Sequence, residues 1–314
     1  DEVASVEARA DLLLDVATFY YAHHEYKRCT SALSRARRLL DNPPDPLALK
    51  VAITQSRLAL ADADWQEAEQ HLSRALTLAD GLNDLPSVGG VLRDLGSVAF
   101  RRGAITQAHR RYERARLVLL EGGGLGDLAS VINNLGECAR VLGDFQSAER
   151  HYRESVALFN RAGASAAAQY PYINLGLLLT RAGRHADALV PLTHALDELS
   201  TESSRSFEAI VRVLLVPCCA ALQDWAGLTL QLDRLEKADD KMPELEPELA
   251  DSLVEAAQTC IDERHVVEAA RCYALAARLY TQMDRPDAAQ TCLDTKEQLR
   301  VDPMGSGEHH MPDT

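Results

Sequence analysis

The sequence predicts an all-α fold: an α-solenoid of about seven helical hairpins closed by one C-terminal helix. Three observations predict it. Three segments superpose at a spacing of 40 residues without gaps: LGSVAFRRGAITQAHRRYERA from Leu95, LGECARVLGDFQSAERHYRES from Leu135 and LGLLLTRAGRHADALVPLTHA from Leu175. One position recurs across most of the chain, at Cys29, Ala68, Ala108, Ala148, Ala188, Leu228 and Ala269, in steps of 39, 40, 40, 40, 40 and 41. Finally, Ala and Leu dominate an apolar share of 46%, and β-branched runs are scarce, which favours helix over strand.

Each part of the repeat has a physical purpose. Leu-Gly at 95–96, 135–136 and 175–176 puts a residue without Cβ where a first helix meets its partner. Ala108, Ala148 and Ala188 are the small residues opposite, so the two axes can approach closely. In the second helix the apolar face continues at +4 and +7, as in Ala108, Tyr112 and Ala115 or Ala148, Tyr152 and Ser155, which is helical spacing. Gly103, Gly143 and Gly183 stop the first helix, and Asp64, Asp144 and Asp224 stand where the second needs an N-cap. The next residue is bulky (Tyr26, Trp65, Ile105, Phe145, Trp225), and the sequence reads these as buried wedges between hairpins.

These features place hairpins at about 2–40, 46–80, 86–120, 127–160, 165–200, 206–240 and 247–283, with a capping helix at 286–300. The breaks are turn-rich, such as Asp41 to Pro44 and Gly122 to Gly124. A last helix with a polar outer side covers the final apolar face of a solenoid. The small polar residues from 301 to 314 predict a disordered tail. The sixth repeat departs most. Val216 replaces the glycine, Leu228 the alanine, and Pro217 falls inside the first helix, so a kinked or opened hairpin is expected there.

The order Leu-Gly, Gly-Asp-aromatic, Ala, Tyr and Ala resembles the tetratricopeptide repeat. The period near 40 and the triplets Asn134-Leu135-Gly136 and Asn174-Leu175-Gly176 are similar to its longer-repeat branch. That branch includes kinesin light chain, spindle-orientation adaptors, and the sensor arrays of MalT-like, kinase-linked and STAND-linked bacterial regulators. The resemblance covers about residues 10–300. It implies a right-handed superhelix whose first helices line a concave groove, and a role in holding an extended peptide rather than in catalysis. On that geometry the candidate peptide-binding residues are Lys50, Arg57, Arg93, Arg101, Asn133, Asn134, Arg140, Tyr170, Asn174 and Arg181. The family often holds a peptide backbone with an Asn just before Leu-Gly, which Asn134 and Asn174 match. An amide offers both a donor and an acceptor, and arginine offers paired donors for carboxylates. The groove is therefore read as locally basic, with an acidic or acidic-apolar protein segment as partner. Ile210, Val213 and Leu214 are expected to add apolar groove positions.

Other chemistry is scarce. A net charge of −14 argues against nucleic acid and an anionic membrane as partners. Gly122 to Gly126 lacks the Lys-Ser/Thr of a phosphate-binding loop, and no His/Cys grouping has zinc spacing. No catalytic, cofactor or metal site is assigned. Seven cysteines, without a CxxC pair, read as buried reduced thiols in a cytoplasmic protein. The chain starts at Asp1 and is at once helix-like, which suggests a piece of a longer polypeptide, and the resemblance implies the regulatory part of a larger bacterial signalling protein. Alternative readings are an intramolecular regulator or oligomerisation module of an attached kinase or STAND ATPase, and a small-molecule or peptide-pheromone receptor.

Overall fold

Every described residue that belongs to a regular element is helical. The computed structural model describes residues 5–198, 205–237 and 247–301, and among these it holds fifteen helices and no strand. The chain divides into two compact units, meeting in sequence at Ala164 and Ser165.

The first unit has four hairpins. They are α1 (Val6–Ala22) with α2 (Tyr26–Leu39), α3 (Asp45–Ala61) with α4 (Trp65–Gly81), α5 (Leu85–Arg101) with α6 (Ile105–Gly122), and α7 (Leu125–Val141) with α8 (Phe145–Arg161). The turns within hairpins are short because each is built from one left-handed residue followed by a cap. Gly103 and Gly143 supply it at φ of 75° and 81°, while His24 and Ala63 adopt it at 58° and 55°. The Asp64 and Asp144 side chains accept the backbone N–H of Glu67 and Ser147 at 2.9 and 3.0 Å, as their N-cap positions predict. Asp84 caps α5 in the same way.

The Leu-Gly notch is a close contact within a hairpin. A Cβ added at Gly96 would lie 2.5 Å from Tyr112, and one at Gly136 would lie 2.6 Å from Tyr152. Ala68, Ala108 and Ala148 are fully buried opposite, as are Leu72 and Tyr152 at the next turn of the second helix. Ser155 takes a slot that holds Ala75 and Ala115 elsewhere. Its hydroxyl donates to the Ala129 carbonyl at 2.7 Å, so the buried oxygen is satisfied.

The second unit contains α9 (Ser165–Arg181) with α10 (His185–Glu198), α11 (Arg205–Ala221) with α12 (Trp225–Lys237), α13 (Pro247–Asp262) with α14 (Val266–Gln282), and the last helix α15 (Pro286–Val301). Gly176 repeats the notch, now 2.3 Å from Leu192. α11 is the centre of this unit, packed by α9, α10, α12 and α13. Its face from Val213 to Ala220 is buried throughout. The expected tail, apart from Val301, lies outside the described residues.

Three expectations need correction. α11 runs unbroken across Pro217 and packs on α12, so this hairpin is not opened. A proline removes only one donor, and α9 and α10 likewise carry Pro171 and Pro191 inside helices. Val213 and Leu214 are fully buried rather than lining a groove, because α11 is enclosed on several sides, and Ile210 is half-buried. The bulky residues after the turn are not fully buried wedges: Phe145 is 56% exposed and Tyr26 36%, while Trp65, Ile105 and Trp225 are half-buried. Each starts a second helix, at the edge formed by the turns, and the space between helix axes is filled by the Ala-Tyr-Ala positions instead.

Candidate functional site

In the first unit, polar side chains link one first helix to the next. Lys50 on α3 reaches Asp11 at 2.5 Å and Asp15 at 3.0 Å on α1. Arg57, also on α3, lies over the Tyr21 ring of α1, 5.9 Å from its centroid. Arg93 on α5 pairs with its neighbour Asp94 at 3.0 Å and with Asp127 of α7 at 2.9 Å. Burial alone would lower the Arg93 pKa, but these two carboxylates raise it, so the guanidinium is held charged. Polar side chains thus join the first helices α1 and α3, and α5 and α7, across hairpins.

On α7 the first-helix face carries Asn133, Asn134, Glu137 and Arg140. The Asn133 amide donates to Asn134 Oδ1 at 3.5 Å. Arg140 Nη2 binds Glu137 at 3.0 Å with only 10% of its side chain exposed. Glu137 also accepts the Tyr152 hydroxyl from α8. Burial and the Glu137 carboxylate push the Tyr152 phenol above its usual range, so it remains a neutral donor. This arrangement has a structural part to play as well, because it ties the face to the hairpin interior.

The candidate residues therefore fall into two classes within this unit. Lys50, Arg93 and Arg140 are neutralised by carboxylates. Arg57 and Arg101 form no ion pair, and Arg101 is exposed at the end of α5. The five cations stand among five carboxylates, Asp11, Asp15, Asp94, Asp127 and Glu137, so the face is close to charge-balanced rather than basic. One signal was present in the register: Asp15, Thr54, Asp94 and Asn134 occupy equivalent positions.

Tyr170, Asn174 and Arg181 belong to α9 of the second unit. Tyr170 is 48% exposed and meets Phe207 of α11 edge to face, at 5.1 Å between ring centres. Asn174 is half-buried, Arg181 is exposed, and both have partners. Among the described residues no group of three or more His, Cys, Asp or Glu could hold a metal ion. All seven cysteines are buried and free. Burial pushes the Cys138 and Cys219 thiols up to about 12, so neither is a thiolate near neutral pH. No described helix is long and apolar enough to cross a membrane.

These features, stacked helical hairpins with glycine-alanine notches and polar groups on the first helices, define an all-α helical-hairpin repeat fold similar to that of tetratricopeptide repeats. Residues 127–197 match the tetratricopeptide repeat family model. Solved structures with this fold cover most of the chain at low identity. A STAND signal-transduction ATPase with a tetratricopeptide repeat sensor, from Pyrococcus horikoshii, matches 89% of this chain and 44% of its own at a TM-score of 0.68 and 9% identity. A Rap protein complexed with competence and sporulation factor matches 94% of this chain and 75% of its own, at 0.62 and 12%. The apo quorum sensor NprR from B. thuringiensis matches 95% and 89%, at 0.57 and 12%. No curated protein matches the chain in sequence.

Proposed function

We propose that this chain is a non-catalytic protein-interaction module that captures an extended peptide segment on the first-helix face of its first unit. The observation that carries this reading is the set of polar groups on the first helices, Arg57, Arg93, Asp94, Asn133 and Asn134, in which Arg57 reaches α1 and Arg93 reaches α7 across hairpins. A face already ordered by its own ion pairs loses little side-chain freedom when a ligand arrives. Asn133 and Asn134 supply amide groups for a peptide main chain, and Arg57 and Arg101 supply cations for an acidic side chain. Because Lys50, Arg93 and Arg140 are neutralised, the favoured segment is mixed acidic-apolar rather than densely acidic. The Rap protein bound to competence and sporulation factor and the NprR quorum sensor share the fold. They favour a sensor or scaffold role, and the proposal takes the chain as the regulatory part of a larger bacterial signalling protein in the cytoplasm.

Capture by the full chain tests the reading. Arg57→Glu with Arg101→Glu should abolish recovery of a partner that wild type recovers from the native host, with the helical signal unchanged. Asn133→Ala with Asn134→Ala should weaken it as well. Undiminished recovery by both double variants would refute the first-helix face.

A further inference from the structure

The two indoles of the chain occupy the same slot in their hairpins but have different surroundings. Trp225 starts α12, and the His265 ring covers it in a parallel stack, 3.8 Å between ring centres and 20° between planes. Trp65 starts α4 and is half-buried, and nothing stacks on it. Its side lies open to a cleft of about 490 Å³, lined by Asp62, Ala63, Asp64, Trp65, Gln66 and Arg102.

The repeat explains the difference. His265 is the N-cap of α14, four residues before Ala269. The equivalent position, four residues before Ala108, is Ala104, the N-cap of α6. The two caps have nearly the same backbone, φ −90° and ψ 61° for His265 and φ −82° and ψ 61° for Ala104. One hairpin therefore brings its own planar ring to the preceding tryptophan, and the other brings a single methyl group. By the same geometry a ring at position 104 would stack on Trp65, although Ala104 itself does not line the cleft.

Its charge selects the visitor. The Asp62 carboxylate has no hydrogen bond or ion pair among the described residues, and Asp62 is exposed at the rim. The Asp64 carboxylate lies alongside, capping α4 through Glu67. The one cation in the lining, Arg102, is occupied by Glu69 at 2.9 Å, and Glu69 also binds Arg111 at 2.7 Å. An open indole face beside an unpaired carboxylate suits a flat cation. A guanidinium is planar, weakly hydrated and able to stack while it donates to a carboxylate, whereas an ammonium cannot stack.

We propose that the cleft between the α3–α4 and α5–α6 turns receives an arginine side chain presented by a partner protein, stacked on Trp65 and paired with Asp62. This site lies at the turn edge, and it does not depend on the first-helix face being a binding surface.

The test uses the full chain carrying Trp225→Phe, so that Trp65 is the sole indole. N-acetyl-arginine amide should change Trp65 emission with saturation. N-acetyl-lysine amide and the neutral isostere N-acetyl-citrulline amide should bind more weakly, by roughly two- to fivefold, the size of an exposed cation–π contribution. Asp62→Asn should weaken arginine by a similar factor, and Ala104→His should abolish the response by covering the Trp65 ring as His265 covers Trp225. If Ala104→His does not fold, Asp62→Asn decides. A response without saturation, equal binding of citrulline, or full arginine binding in Asp62→Asn or Ala104→His would overturn the proposal. So would saturable binding of adenosine monophosphate in place of arginine, which would reassign the cleft to a nucleobase.

Discussion

Gly136→Ala tests the packing in depth, because one added carbon meets a fixed neighbour. The new Cβ would lie 2.6 Å from Cε1 and 2.8 Å from Cδ1 of Tyr152, and 3.3 Å from Cβ of His151. Carbon atoms prefer about 3.5–4.0 Å, so the ring must retreat by about 1 Å. It has little room, being fully buried and tied through its hydroxyl to Glu137. Overpacking of this kind costs about 1–3 kcal/mol. Replacing glycine inside a helix returns about 0.5–1 kcal/mol. The net expectation is a loss of about 1–2 kcal/mol, read from the urea midpoint. Gly90→Ala is the control, since it is also interior to a first helix but has nothing within 4 Å of the added carbon. It should raise stability by about 0.5–1 kcal/mol. In a repeat array, damage spreads mainly to nearest neighbours. Hydrogen exchange should therefore accelerate in α7 and α8 before α1 and α2. Equal effects of the two substitutions, or an acceleration uniform along the chain, would refute the notch argument.

Three further outcomes follow from the same structure. Ala63→Gly should stabilise the first unit by about 0.5–1 kcal/mol in thermal or urea unfolding, because Ala63 sits at φ 55° where glycine is unstrained. Burial lowers the His151 and His185 pKa values below the ordinary 6.5, and the Nδ1 atom of each has no partner. The unfolded chain then binds more protons than the folded one. Stability should be complete above pH 6.5 and fall as the pH drops below it, with a shallower fall in His151→Gln. The seven buried thiols should react with a disulfide reagent at pH 7.5 only as fast as the protein opens, and all at once in urea. Rapid labelling of native Cys138 would contradict its burial.

Much of the fold was legible because the decisive residues are local and periodic. Gly96 and Gly136 each announce a helix contact, and Asp64 and Asp144 each announce a helix start, without reference to distant sequence. The face was less legible. Asp11 with Lys50 and Arg93 with Asp127 are separated by 39 and 34 residues, so their pairing depends on how hairpins stack. Counting cations without these partners made the face look basic. The row Tyr26, Trp65, Ile105, Phe145 and Trp225 misled differently. Apolar character suggested burial, whereas position at the first residue of a helix puts these side chains at the turn edge. Periodicity alone could not distinguish Val213 and Leu214 as core from groove positions, because α11 is packed on more than one side. The cleft over Trp65 was not legible, because its lining combines Asp62 to Gln66 of one hairpin turn with Arg102 of the next.

The most direct measurement of the capture claim is photo-crosslinking from the face itself. A benzophenone side chain placed at Arg101, at the exposed end of a first helix, should trap a partner segment in cells of the native host. The same group at Arg153, exposed on the second helix α8, should not. A crosslink from Arg101 that disappears with Arg57→Glu is the predicted result. Trapping from Arg153 alone, with nothing from Arg101, would contradict the account.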